Sequence, residues 1–241
     1  MHERLILLPG WSCPADLLEP LAAALRVRAG KGLAVELAEL PALADWRQWL
    51  DELDARLPAD CWLGGWSLGG MLAAQLAVRR GERCRGLVTL ASNACFVRRN
   101  DWPAAMPVEQ FGDFRDAVAA TPAAALKRFD LLVVRDAQDP RPLARRLASR
   151  AALPPTDVLL AGLECLAQLD LRAGLRAWSG PQLHLLGERD ALVPGVVAEA
   201  LREQWPGARV ELLDSASHAL PLSHAETIAA LIHTYMKEVQ R

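Results

Sequence analysis

The chain has no stretch of eighteen or more apolar residues, so nothing in it reads as a membrane span. Its five cysteines (13, 61, 84, 95 and 165) are odd in number, scattered and without C-x-x-C spacing. That argues against a disulfide framework and a zinc site, and fits a reducing cytosol with each thiol acting as a small buried hydrophobe. The N-terminal apolar run Leu5-Ile6-Leu7-Leu8 is too short for a secretory signal and reads as a first core strand. No internal repeat or low-complexity tract occurs. No nucleic-acid or membrane partner is expected.

What remains is a chain of 241 residues, 52% apolar, enough for one domain with a large core. The charge is unevenly spread. Between Arg98 and Arg150 stand ten Lys/Arg against seven Asp/Glu, while the rest of the chain holds seventeen against twenty-two. A basic middle in an acidic protein directs attention there for an acidic partner.

Short apolar runs alternate with longer helical patterns, which predicts an α/β fold with a mostly parallel sheet and helices on both faces. Strands are expected at Leu5–Leu8, Ala34–Leu37, Cys61–Gly64, Leu87–Ala91, Gln182–Leu186 and Arg209–Leu213. Helices are expected at Leu17–Arg26, Trp46–Arg56, Leu68–Arg79, Val196–Gln204 and Ala225–Val239. Between Ser92 and Ser179 the alternation gives way to helical periodicity broken by prolines. The expected organisation is a core from 1–91 and 180–241, with 92–179 as a helical lid inserted into it.

Gly65-Trp66-Ser67-Leu68-Gly69 follows an apolar run and precedes a helical stretch. This is G-x-S-x-G between strand and helix, a turn so tight that small neighbours are needed and the serine hydroxyl stands above the strand ends. A serine nucleophile needs a base, and the base needs an acid to orient it. His2 is terminal, His184 falls in a strand and His233 in the last helix. His218 lies in the small-residue loop Asp214-Ser215-Ala216-Ser217-His218-Ala219 and is the first choice, with His224 the alternative. Asp190, in the loop after Leu185-Leu186-Gly187, is preferred as the acid over Glu188. Two backbone N–H groups should form the oxyanion hole, those of Leu68 and Trp11, with the Trp11 indole as a wall of the acyl pocket.

With these motifs in this order, the chain resembles the α/β-hydrolases, and more narrowly the family of pimeloyl-acyl-carrier-protein methyl ester esterases of biotin synthesis. The narrower resemblance rests on Leu7-Leu8-Pro9-Gly10-Trp11, Trp62 to Gly70, and Leu87 to Phe96. Asp101-Trp102-Pro103, Lys127-Arg128-Phe129, Gly162-Leu163-Glu164 and Asp170-Leu171-Arg172 add to it. It departs in having Pro9-Gly10 where His-Gly is common, and only Leu40-Pro41-Ala42-Leu43 where many relatives carry a Gly-rich loop. The resemblance implies a methyl-capped pimeloyl chain on acyl carrier protein as substrate. It implies an acyl channel lined by Phe129, Asp130, Leu131, Leu132 and Val133. It also implies carrier contacts by Arg128, Arg141 and Arg145, with Arg135 and Arg146 nearby and Ala124 at a contact position not retained. A cytoplasmic monomer needing no cofactor or metal is expected. A broad short-chain carboxylesterase, or a ligand-binding protein on the same fold, is the alternative.

Overall fold

The computed structural model describes residues 3–150 and 152–240; His2 lies outside the described residues. Six strands form one parallel sheet: β1 (Glu3–Leu8), β2 (Leu33–Leu37), β3 (Cys61–Trp66), β4 (Cys84–Leu90), β5 (Gln182–Gly187) and β6 (Arg209–Leu213). Their spatial order is β2-β1-β3-β4-β5-β6. Every pairing is parallel, so each connection must cross over the sheet. β3 and β5 are buried along their whole length, as strands covered on both faces must be. The edge strand β2 alternates, with Leu33 and Val35 buried and Ala34 and Glu36 exposed.

The crossover helices are α1 (Glu19–Ala29), α2 (Trp49–Arg56) and α3 (Leu68–Arg80), with α9 (Val197–Gln204) before β6 and α10 (Leu220–Ser223) and α11 (Ala225–Val239) after it. α1 packs against α11, whereas α3 packs against α2, which places helices on both faces. Among the described residues five more helices join β4 to β5: α4 (Val108–Ala120), α5 (Pro122–Val133), α6 (Pro140–Ala148), α7 (Thr156–Gln168) and α8 (Arg172–Ala177).

From β1 the chain goes outward to β2 and then returns to the other side of β1 as β3. The loops leaving β1 and β3 therefore diverge to opposite faces and leave a crevice at their carboxyl ends, where open α/β sheets place their sites. Trp11 follows β1 and Ser67 follows β3, so topology alone brings these two together.

Element boundaries differ from expectation where glycine or polar residues mask pairing. β3 continues through Gly65 and Trp66, because Gly65 pairs with Leu8 on one side and Thr89 on the other. β4 begins at Cys84 rather than Leu87. Trp46–Gln48 forms a 3-10 turn, capped by the Asp45 carboxylate accepting from Arg47 N, and the α-helix starts at Trp49.

Two of the narrow motifs meet in the segment after β4. Arg172 bonds Asp170 at 2.7 Å and Asp101 at 2.8 Å, with its guanidinium 5.9 Å from the Trp102 ring. The Trp102 indole donates to Asn93 at 2.9 Å. These contacts fasten the helical segment to the exit of β4.

Candidate active site

Ser67 sits between β3 and α3 with φ +54° and ψ −119°, a backbone conformation that costs a non-glycine residue about 1–3 kcal/mol. The surroundings hold it there. Ser67 N donates to Leu90 O at 2.8 Å, and Ser67 O accepts from Ser92 Oγ at 2.7 Å. The motif glycines are required by close approach. A Cβ on Gly65 would lie 2.3 Å from the Gly69 carbonyl carbon, and one on Gly69 would lie 2.3 Å from Pro9 O. Backbone on both sides leaves no room, so the start of α3 lies directly against the loop that carries Trp11. Leu68 is the first residue of α3, so its N–H has no carbonyl to bond within the helix.

His218 and Asp190 meet at the carboxyl ends of β6 and β5. His218 Nδ1 lies 2.7 Å from Asp190 Oδ2, with both side chains almost fully buried. An ionised carboxylate only accepts, so Nδ1 carries the proton and Nε2 keeps its lone pair. The other carboxylate oxygen accepts from Leu192 N at 2.8 Å and Val193 N at 2.9 Å, which fixes the rotamer of Asp190. Trp66, the residue before the serine, donates its indole N–H to His218 O at 2.9 Å. Their rings lie 5.8 Å apart. The histidine loop is thus tied to the serine turn.

The alternatives fall elsewhere. Glu188 accepts from Ser215 N at 2.9 Å and so braces the base of the histidine loop. His224 bonds Ser223 Oγ just before α11. His184 is buried in β5 against Thr89 Oγ1 at 2.7 Å, and burial pushes its pKa down to about 4. All five thiols are unpaired and buried. Burial raises those of Cys13 and Cys165 to about 12, which makes them inert packing groups. Among the described residues no group of three or more His, Cys, Asp and Glu could hold a metal.

Trp11 is gripped by the helical segment. Its indole donates to Leu159 O at 2.9 Å, and Phe129 and Phe114 meet it edge-on at 5.0 and 5.5 Å. Gly162 lets α7 close on it, since a Cβ there would lie 2.6 Å from the Trp11 ring. Trp11 and Ser12 also border a cleft of about 360 Å³, closed by Glu39, Trp49, Arg150 and Leu159. Ser67 and His218 do not line that cleft.

The stretch Phe129 to Val133 is unevenly buried. Phe129 faces Trp11, and Val133 O accepts from Ala219 N at 3.1 Å beside His218. Asp130 is turned to a buried ion pair with Arg150. Burial pushes the Asp130 carboxyl up, against the opposing pull of the Arg150 charge. Leu132 is half-buried, and Leu131 is 63% exposed. Helical rotation of about 100° per residue accounts for the difference in burial: with 129, 130 and 133 facing inward, 131 faces outward. Arg128, Arg141 and Arg145 are exposed on α5 and α6, and among the described residues none of them makes an ion pair.

Sequence reasoning overlooked Trp66, Ser92, Gly162, Ser12 and Arg150. Trp66, Ser92 and Gly162 lay within quoted motifs and Ser12 in the loop after the first strand; Arg150 carried no signal in the linear pattern.

A strained serine turn thus stands at the switch point of a parallel sheet, with a buried His–Asp pair tied to it through Trp66. The chain belongs to the alpha/beta hydrolase family, whose sequence pattern matches residues 5–231. It is 35% identical to the pimeloyl-[acyl-carrier protein] methyl ester esterase of Aeromonas hydrophila subsp. hydrophila, over 96% of this chain and 94% of that protein. It is 34% identical to the biotin biosynthesis bifunctional protein BioHC of Cellvibrio japonicus, over 96% of this chain, and spans about half of that longer protein (47%). A bromoperoxidase from Bacillus anthracis superposes with a TM-score of 0.84 at 19% identity, over 98% of this chain and 92% of that one. An esterase from Exiguobacterium antarcticum gives 0.82 at 20%, with the same coverage. These two show the fold alone. The family and the sequence relatives make the chain a carboxylic ester hydrolase.

Proposed function

We propose that this chain hydrolyses the methyl ester of pimeloyl-acyl carrier protein in biotin synthesis, through an acyl-enzyme on Ser67. The observation that carries the reading is the 35% identity to a pimeloyl-[acyl-carrier protein] methyl ester esterase, sustained over nearly both whole chains. The exposed arginines of α5 and α6 support it, because acyl carrier protein is acidic.

In this reading the chemistry belongs to Ser67, His218 and Asp190. Ser67 Oγ attacks the ester carbonyl as His218 Nε2 takes its proton. Asp190 stabilises the imidazolium and holds its orientation without being protonated. The oxyanion is received by the N–H groups of Leu68 and Trp11. Collapse breaks the bond to the methoxy oxygen, which takes the proton from His218 and leaves as methanol. Water, deprotonated by His218, then attacks the acyl-enzyme, and Ser67 recovers its proton as the free carboxylate departs. Residues 92–179 serve as a lid, and Arg128, Arg141 and Arg145 receive the carrier. The enzyme acts in the cytosol, in keeping with its five unpaired thiols.

The test compares kcat/KM for the methyl ester on acyl carrier protein with that for free dimethyl pimelate and p-nitrophenyl esters. Strong preference for the carrier-bound ester, abolished in Ser67→Ala, is expected. Equal or higher efficiency on the small esters would instead make the chain a broad carboxylesterase. Binding without Ser67-dependent turnover would make it a ligand-binding protein.

A further inference from the structure

Arg150 joins the end of the adjacent helix, α6, to α5 and to the loop after β1. Its side chain is 6% exposed, and each guanidinium nitrogen is committed to a different one of the three. Nε donates to Leu147 O at the end of α6 at 3.0 Å, Nη1 to Ser12 Oγ at 3.3 Å, and Nη2 to the Asp130 carboxylate on α5. With every nitrogen engaged, Arg150 is a junction and not a free ligand for substrate.

The contact with Ser12 is the informative one. Gly10 to Cys13 form a turn closed by Cys13 N donating to Gly10 O at 3.1 Å. Trp11 and Ser12 are its central residues, and Ser12 has φ +56°. A positive φ at the third position of a turn is the type II requirement, which glycine ordinarily meets. Here a serine occupies it, so something outside the turn must hold it. Relaxation toward the commoner type I form would rotate the peptide plane between Trp11 and Ser12 and so reshape the loop that carries the Trp11 N–H. Asp130 fixes the guanidinium, the guanidinium fixes the Ser12 hydroxyl, and Phe129, next to Asp130, packs on the Trp11 ring.

We propose that Arg150, clamped by Asp130, is a positioning residue that holds the Trp11–Ser12 turn in its oxyanion-binding shape. The proposal rests on the esterase reading above, and concerns the chemical step common to any ester. It requires a loss in kcat with KM little changed, since ground-state binding does not depend on that N–H.

The experiment uses p-nitrophenyl acetate with the full chain. Arg150→Gln should lose about tenfold in kcat with KM within twofold, a part of the ~10²–10³ that losing a whole oxyanion donor costs. Ser12→Ala, which removes only the hydroxyl, should lose kcat in the same sense and keep its Tm, so the proposal stays testable if Arg150→Gln fails to fold. Ser12→Gly in the Arg150→Gln background should recover most of the lost kcat, because glycine takes the positive φ unaided. A purely structural ion pair would give no such rescue. Ser67-dependent hydrolysis with wild-type kcat in both Ser12→Ala and Arg150→Gln would overturn the positioning role alone. Hydrolysis that survives Ser67→Ala would overturn the esterase reading and this proposal with it.

Discussion

The Trp66 indole N–H donates to the backbone carbonyl of His218 across 152 residues of sequence. Trp66 is the last residue of β3 and immediately precedes Ser67, so one hydrogen bond joins the serine turn to the histidine loop. The second tether is Val133 O, which accepts from Ala219 N. The histidine is therefore positioned by the core on one side and by α5 on the other. Its imidazole is oriented separately by Asp190, whose own rotamer is set by two backbone N–H groups.

Ser67 should separate stability from catalysis. Its backbone at φ +54° and ψ −119° is strained for any residue but glycine. Ser67→Ala should lose at least ~10³-fold in kcat at unchanged Tm, since alanine bears the same strain. Ser67→Gly should be equally inactive but more stable by about 1 kcal/mol, a rise of roughly 2–4 °C in a domain of this size. Thermal melts of the two variants beside wild type check both points. Equal Tm values for all three would mean that the turn carries no strain.

Two glycines should respond to alanine with opposite signs. Gly69→Ala drives a Cβ into Pro9 O at 2.3 Å and Leu8 O at 2.5 Å, so α3 and the loop bearing Trp11 must part. A stability loss of about 1–3 kcal/mol is expected, together with a fall in kcat. Gly112, inside α4, has nothing within 4 Å of the corresponding position. Gly112→Ala should stabilise by about 0.5–1 kcal/mol and leave turnover alone. Urea unfolding of both variants is the measurement; a destabilised Gly112→Ala would contradict the open space around it.

The strands were legible because buried parallel strands are short apolar runs, and five of the six were placed to within one residue at their carboxyl ends. The sixth, β3, was cut short at Gly64 because Gly65 reads as a turn residue, whereas in the sheet it is paired on both sides. Ser67, Asp190 and His218 were legible as loop residues following strands, where topology gathers loops on one edge. The five helices between β4 and β5 were legible only as helical periodicity. Their packing was not, because the contacts that organise it span long separations: Arg150 to Ser12, Trp11 to Leu159, Arg172 to Asp101. Leu131 shows the same limit. Motif resemblance transfers a segment, but helix rotation decides which of its side chains face the site.

Reversing Arg128, Arg141 and Arg145 to glutamate should divide the substrates. All three are exposed and, among the described residues, none makes an ion pair, so little folding energy depends on them. Charge steering of an acidic carrier changes association rates by ~10–10³-fold. The triple variant should lose kcat/KM for the carrier-linked ester within that range and keep it for p-nitrophenyl acetate. Added salt should weaken the wild-type carrier reaction and barely affect the variant. Parallel losses on both substrates would refute a docking surface.

His184 should set part of the acid limit of stability. It is fully buried between β4 and β5, bonded to Thr89, and burial lowers its pKa from 6.5 to about 4. In the unfolded chain the imidazole takes up a proton near pH 6.5; in the folded protein it does so only near pH 4. The unfolded state thus binds more protons across that interval, and stability present above pH 6.5 is lost as pH falls toward 4. A shift of this size is worth about 3 kcal/mol. His184→Gln removes the titration while keeping a polar side chain near Thr89. Urea midpoints measured from pH 7.5 to 4 should therefore fall less steeply in the variant than in wild type. Superimposable pH profiles would show that His184 is protonated as readily folded as unfolded, and that water reaches β5 despite the packing around it.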